Sequence, residues 1–250
     1  MHYPKTLPPG HIAVLHEDPN LGAALSDRAL ARAARVAFAP ALVIERNEAL
    51  HVPSALVPHF GLLLIEGTLG ARTQVDDRSH LELLGPGDLI RPWISVGDDA
   101  PPGASMDWVV VDETRLAVLD RRFSAAVASW PELASTLMER LIERNRRLNL
   151  QVAIGSVKTV ERRILLSLWH FASRWGRQTS DGMTLDLPLT HEQLGEIVMA
   201  RRPTVTEALS RLKETGALSQ VSERWILSAG RPHELEAMES RIGLVTPAPR

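Results

Sequence analysis

The 250-residue chain has no cysteine. That absence excludes disulfides, thiolate nucleophiles, cysteine-type structural zinc and cysteine-held iron–sulfur clusters together. Long apolar runs are missing too: none approaches the roughly 18 residues that span a bilayer. The opening MHYPKTLPPG lacks the charged-then-apolar layout of a secretory signal, so a cytoplasmic protein with no membrane partner is expected. Charge of one sign is not in excess, the net value being -2, which argues against a polybasic membrane-surface binder and leaves room for a local charged face. No nucleophile, base and orienter fall into a set and no phosphate loop occurs, so neither an enzyme nor a cofactor is expected. What is present is an ordinary apolar content of 44%, enough for a full core in one or two domains.

The most informative stretch is LTHEQLGEIVMARRPTVTEALSRLKETG, ending at Gly216. Thr190 stands three residues before Gln193, the spacing of a capping box that starts a helix. Leu194, Ile197 and Val198 give that helix one apolar face, and Gly195 leaves room for a close neighbour. Pro203 fits only in the first turn of a second helix, where its missing N–H is not needed. Val205, Ala208, Leu209 and Leu212 form the buried face of this second helix, with Arg202, Thr204, Thr206, Glu207 and Arg211 outward and Gly216 as a left-handed stop.

Two short helices of this kind form a helix-turn-helix, whose second member lays its N-terminal residues against base edges. The fork of Arg202 suits guanine O6 and N7, and Glu207 suits a cytosine amino group. Thr204, Thr206 and Arg211 suit phosphate oxygens, and Thr190, Arg201 and Pro203 complete the expected DNA-binding set. The segment ALSQVSERWIL reads as a two-stranded wing. From Thr190 to Gly230 five basic residues face five acidic ones, so placement rather than net field carries this reading.

Upstream, residues 1–20 read as an extended lead-in. Leu21 to Val36 reads as helix, with Ser26 and Asp27 able to cap a shorter one inside it. From Phe38 the runs ALVIE, GLLLIEG, TLGARTQV, HLELLGPGD, DWVVVD and TRLAVLD read as short antiparallel strands, with Glu66-Gly67 and Gly85-Pro86-Gly87-Asp88 as turns. VGDDAPPGAS reads as a loop beside them. Residues 131–155 return to helix. Met138, Asn145 and Val152 alternate there with Ala134, Leu141, Leu148 and Gly155 as an a/d seam, which predicts dimerisation, with Glu139, Arg140, Glu143, Arg146 and Arg147 toward water. A single amphipathic helix lying on its own roll is the other reading. Gly155-Ser156 reads as a hinge, TVERRILLSLWHFASRW as helix, Gly176 to Leu187 as a polar loop and HELEAMESR as a last short helix.

The chain is therefore α+β: an antiparallel β-roll of the cupin-like jelly-roll kind over residues 1–130, a dimerisation helix and hinge over 131–155, and a winged helix-turn-helix over 156–250. This order resembles the Crp/Fnr family of bacterial transcription regulators, most closely from ERRILLSL through LTHEQLGEIVMARRPTVTEALSRLKETGAL, and in the roll through LLGPGD and the pair DWVVVD and TRLAVLD. The resemblance implies a homodimer joined along the long helix, and a ligand in the roll that reorients two recognition helices. It carries Arg202 onto the family's leading base-reading arginine and Thr204 onto a phosphate contact. Pro203 stands where that family often has glutamate, and Glu207 where arginine is usual, so the operator sequence is not carried over. Double-stranded DNA, a second copy, RNA polymerase and a small-molecule effector are the partners expected.

Cyclic-nucleotide binders of the family carry Gly-Glu after the PGD turn and an Arg-Ser pair further on. This chain has Arg91-Pro92 and Met106-Asp107, and a phosphate facing Asp107 without an arginine would be repelled. Cyclic AMP is therefore not expected to bind. Arg91, Trp93 and Trp108 are the candidates for an effector pocket. His51, His59 and His80 follow no tight ligand spacing, so no metal is expected. The alternatives are a cyclic-nucleotide-activated regulator and a cupin-like metal enzyme with an appended helical domain.

Overall fold

The computed structural model describes residues 10–53, 58–92, 104–228 and 230–244. The chain forms two compact units, Met1–Arg72 with Leu83–Arg144, and Thr73–Glu82 with Asn145–Arg250.

The first unit opens with β1 (His11–Ala13) and α1 (Val14–Glu17), a 3-10 turn at Pro19–Gly22, and α2 (Asp27–Ala33). Residues 11–20 are thus structured rather than an extended lead-in, because Ile12, Val14 and Leu15 are buried and hold them. The longer helix expected from Leu21 gives way to the shorter one: the Ser26 hydroxyl accepts from the Ala29 N–H at 3.4 Å and starts α2 there.

The sheet contains β2 (Phe38–Ile44), β3 (Pro58–Val75), β4 (Arg78–Leu84), β5 (Leu89–Ile90) and β6 (Ala104–Asp120). Its order is β1-β2-β6-β3-β4, with β5 on β3. The pairs β1·β2, β2·β6 and β3·β5 are antiparallel, with Leu42 opposite Leu116 and Leu62 opposite Ile90. Runs read as separate strands fuse into β3 and β6, and the turn expected at Glu66-Gly67 lies inside β3. Gly67 has φ +86 and sits so close to β6 that a Cβ would overlap the Glu113 carbonyl oxygen. The glycine marks a close backbone approach and not a reversal.

Period two explains the run GLLLI. Leu62 and Leu64 join a core with Leu69, Leu116 and Val118, while Leu63 points to the other face and joins Leu21, Leu119, Phe123, Leu133 and Leu137. The strand is buried on both sides, so its sequence is apolar without alternation. The PGD turn forms as read: the Gly85 N–H donates to Asp88 Oδ2 at 2.9 Å, and Gly87 adopts φ +89.

Asp120 caps α3 (Arg121–Val127), accepting from the Phe123 N–H at 2.8 Å. The long α4 runs from Pro131 to Gly155. Arg140, expected toward water, is instead mostly buried: it pairs with both carboxylate oxygens of Asp18, the longer contact being 2.9 Å, and donates to the Gly87 carbonyl at 3.2 Å.

The second unit holds α5 (Val160–Trp175), β7 (Arg177–Thr179), β8 (Gly182–Asp186), α6 (His191–Val198), α7 (Arg202–Glu214), β9 (Leu218–Val221), β10 (Arg224–Leu227) and α8 (His233–Ile242). The polar loop expected before Leu187 contains the β7–β8 hairpin, which enlarges the expected two-stranded wing into a sheet of order β7-β8-β10-β9. Trp225 faces Leu185 on one side and Gln220 on the other. Its ring is buried, and its Nε1–H donates to the Leu187 carbonyl at 2.9 Å. Among the described residues no helix is long and apolar enough to cross a membrane.

Candidate nucleic-acid interface

The reading pair is built from local rules. Thr190 Oγ1 accepts from the Gln193 N–H at 3.1 Å and Gln193 Oε1 accepts from the Thr190 N–H at 2.9 Å, a complete capping box that satisfies two donors at the start of α6. At the other end Met199 takes the left-handed conformation, φ +54. Arg163 on α5 donates through Nη1 to the carbonyls of Val198 and Met199, covering acceptors a helix end leaves open. The room at Gly195 is used by the turn: a Cβ there would press on the Ala200 carbonyl, which follows the residue that bends the chain.

Arg201 is the N-cap of α7 and Pro203 lies in its first turn, where a proline costs no hydrogen bond. Val205, Ala208, Leu209 and Leu212 are buried, so Arg202, Thr204, Thr206, Glu207 and Arg211 face outward as the spacing required. Among the described residues neither the Arg201 nor the Arg202 guanidinium forms a hydrogen bond or ion pair. Arg211 differs: it contacts Glu161 at 3.0 Å and Glu207 at 2.6 Å, so two residues expected to meet DNA are tied to each other.

Thr206 also has neighbours. Its hydroxyl lies 3.1 Å from the Arg202 carbonyl and 2.9 Å from Nδ1 of His191. One hydroxyl proton serves one acceptor, so both contacts are satisfied when the hydroxyl donates to the carbonyl and His191 donates through Nδ1–H. Partial burial, then Lys213 and Arg202, hold the His191 imidazole below the ordinary histidine range. Sequence reading passed over His191; its place directly after the cap, beside the start of the second helix, was the available signal. The wing tip is Ser222-Glu223, with Ser222 at φ +55.

On α4, Met138 (59%), Ile142 (49%) and Val152 (61%) are exposed apolar side chains, and Asn145 and Asn149, joined at 3.3 Å, lie between them. Leu141, expected in the seam, packs instead on the core of the first unit, and Leu148 is partly buried. Ile142 was missed.

Of the effector candidates, Arg91 donates to the His59 carbonyl at 3.4 Å and Trp108 packs against the second core cluster, while Trp93 and most of the loop expected at 96–105 lie outside the described residues. His59 Nδ1 stands 2.8 Å from Ser124 Oγ. Among the described residues no three histidine, aspartate or glutamate side chains gather as metal ligands.

Residues 162–238 match the Crp-like helix-turn-helix domain. Its C-terminal part is thus similar to the DNA-binding domain of Crp-like regulators. The chain is 29% identical over 152 residues to a CRP-like cAMP-activated global transcriptional regulator of Mycobacterium tuberculosis, a match covering 59% of this chain and 65% of that regulator. A global nitrogen regulator of Synechococcus elongatus is 28% identical over 90 residues, 36% of this chain and 40% of that protein. Among solved structures, FixK2 from Bradyrhizobium japonicum is similar with TM-score 0.57 at 16% identity, over 80% of this chain and 96% of that one. A CooA mutant from Carboxydothermus hydrogenoformans is similar with TM-score 0.56 at 17% identity, over 82% and 88%. At these identities the structural likeness concerns the fold. The fold shared with these structures is the α+β arrangement expected from the strand texture and the C-terminal helix pair.

Proposed function

We propose that the protein is a homodimeric, sequence-specific DNA-binding regulator of transcription that works in the cytoplasm. The carrying observation is the start of α7, where Arg201 and Arg202 extend from a proline-fixed first turn with no partner among the described residues. Arg202 reads guanine, Thr204 and the α6 cap at Thr190 grip phosphate, and Pro203 sets the angle of entry. Arg211 and Glu207 act as a pair, so Glu207 reads a base only when Arg211 turns to the backbone. The exposed Met138, Ile142, Asn145, Asn149 and Val152 of α4 meet their equivalents in a second copy. RNA polymerase is a further partner, and no catalytic step is assigned.

The M. tuberculosis relative is described as cAMP-activated. This chain has Met106-Asp107 where a phosphate would need the arginine-serine pair and Arg91-Pro92 where the ribose would need Gly-Glu, and we propose that cyclic AMP is not its effector. Arg91 and Trp108 are the described residues assigned to an effector in this reading, with Trp93 retained as a candidate from sequence alone. Titration calorimetry with cyclic AMP yields no heat of binding on this reading; micromolar affinity overturns it.

The test of the main reading is binding of the purified protein to duplexes selected from a random-sequence pool. Affinity falls steeply with salt, and Arg202→Ala loses about 1–3 kcal/mol while relaxing sequence preference. Equal loss on every sequence would reduce Arg202 to a phosphate contact, and failure to select any duplex would end the proposal.

A further inference from the structure

The turn between β3 and β4, Asp76-Asp77, belongs to the same compact unit as the helix-turn-helix. Gln151 of α4 donates to the Leu81 carbonyl at 2.9 Å and anchors the base of this hairpin. Further out, the Ser79 hydroxyl donates to Glu196 of α6 at 2.9 Å. Between hairpin and reading pair lies a cavity of about 680 Å³, whose walls include Asp77, Ser79 and His80 on one side and Glu196, Arg201 and Arg202 on the other.

Two surfaces meant to stay together fill the space between them with interlocking apolar groups. This contact does the opposite. It leaves an open gap lined by apolar and charged groups together, and although the His80 imidazole meets the Glu196 backbone, its Nδ1 is buried without a hydrogen-bond partner among the described residues, a cost that separation would relieve. The unfilled wall is also the approach to Arg201 and Arg202. A recognition helix enters the groove by its N-terminal end, with phosphates closing on it from both sides. A hairpin seated at that end puts the Asp77 carboxylate and the bulk of the turn where phosphates must come.

We infer that the β3–β4 turn is an intramolecular competitor for the DNA site: docked through Ser79 and Glu196, it screens Arg201 and Arg202, and DNA binding requires it to leave. This rests on the DNA-binding reading above. Asp77 lines the gap opposite the two guanidiniums, with Arg78 beside it, and its carboxylate repels phosphate, so its charge favours the closed state. Ser79 supplies a direct side-chain hydrogen bond, beside the contact of His80 with the Glu196 backbone. Gln151 keeps the hairpin tethered at its base, so release moves only the tip.

The experiment uses the full chain, wild type and the variants Ser79→Ala and Asp77→Asn, with duplexes selected by each from one random-sequence pool, followed by fluorescence anisotropy at fixed salt. Each substitution tightens binding about two- to tenfold, the range set by losing one part-buried hydrogen bond. Ser79→Ala is the decisive variant because it leaves the net charge unchanged. Hydrogen exchange gives the second readout: amides of residues 73–82 exchange faster once duplex is bound. Unchanged or weaker affinity of Ser79→Ala, or greater protection of 73–82 on DNA, overturns the competitor while leaving the DNA-binding reading intact. Selection of duplexes by the variants alone supports it; selection by none of the three proteins overturns both.

Discussion

Arg163 of α5 donates through Nη1 to the carbonyl oxygen of Val198 at 2.7 Å, and the same nitrogen reaches Met199 at 3.1 Å. One cation from outside the reading pair thus closes the C-terminal end of its first helix at the point where the chain turns. Arg163→Met strips both acceptors, costs about 1–3 kcal/mol of stability, and lowers DNA affinity by loosening the angle between α6 and α7. Denaturant unfolding with binding assays checks this; a stable variant with unaltered binding would show that the turn holds itself.

The C-terminal helix is fastened by two ion pairs, one around a buried carboxylate and one exposed. Arg231 pairs with Glu239, itself 4% exposed, and Arg162 with Glu234. Glu239→Ala removes the buried carboxylate that partly buried Arg231 and His170 both face, and we expect a loss of roughly 3 kcal/mol. Urea unfolding followed by tryptophan fluorescence measures it.

His170 lies beside the same carboxylate, its Nδ1 3.6 Å from Glu239 Oε1, too far for a direct hydrogen bond. Burial outweighs the carboxylate and holds the imidazole below its ordinary pKa. The unfolded chain then binds more protons than the folded one between the two values, so stability falls as pH drops below about 6.5 and levels off below the folded-state pKa. Stability curves of wild type and His170→Phe should diverge on that acid side; parallel curves would remove His170 as the cause.

His191 gives a dependence in binding rather than folding. Its pKa is lowered in the free protein by partial burial, Lys213 and Arg202. A phosphate arriving beside it reverses the sign of the local field and raises that pKa. Complex formation therefore takes up a proton, and affinity rises as pH falls through the histidine range. Anisotropy from pH 8 to 6 in His191→Gln should lose this slope relative to wild type.

The exposed apolar face of α4 predicts an oligomer. Val152→Glu places a carboxylate in a seam otherwise made of Met138, Ile142 and amides, and sedimentation velocity should show a monomer. Its DNA affinity should drop about a hundredfold, because two half-sites are no longer read by one particle. A wild-type protein that is itself monomeric would contradict the seam.

The helix-turn-helix was legible in the sequence because its signals are local: Thr190 and Gln193 form their capping box within four residues, and Pro203 admits one position in a helix. The roll was legible as strands but not as strand lengths, since Gly67 signals a turn by composition and serves a close crossing in fact. The β7–β8 hairpin was hidden because its apolar signal is two residues, Met183 and Leu185, in a polar run. Arg140 was misplaced for another reason. Heptad position sends it to water, while its partner Asp18 lies 122 residues away in sequence, and no periodicity reports that pairing.

Because α4 passes from one compact unit into the other between Arg144 and Asn145, and Thr73–Glu82 belongs with the second unit, no single cut divides the chain into two whole parts. A fragment beginning at Asn145 would forfeit the strand carbonyl that receives Gln151 and the hydroxyl that reaches Glu196. Proteolysis or truncation intended to free the DNA-reading half would therefore deliver a molecule whose surface chemistry differs from the half it is meant to represent.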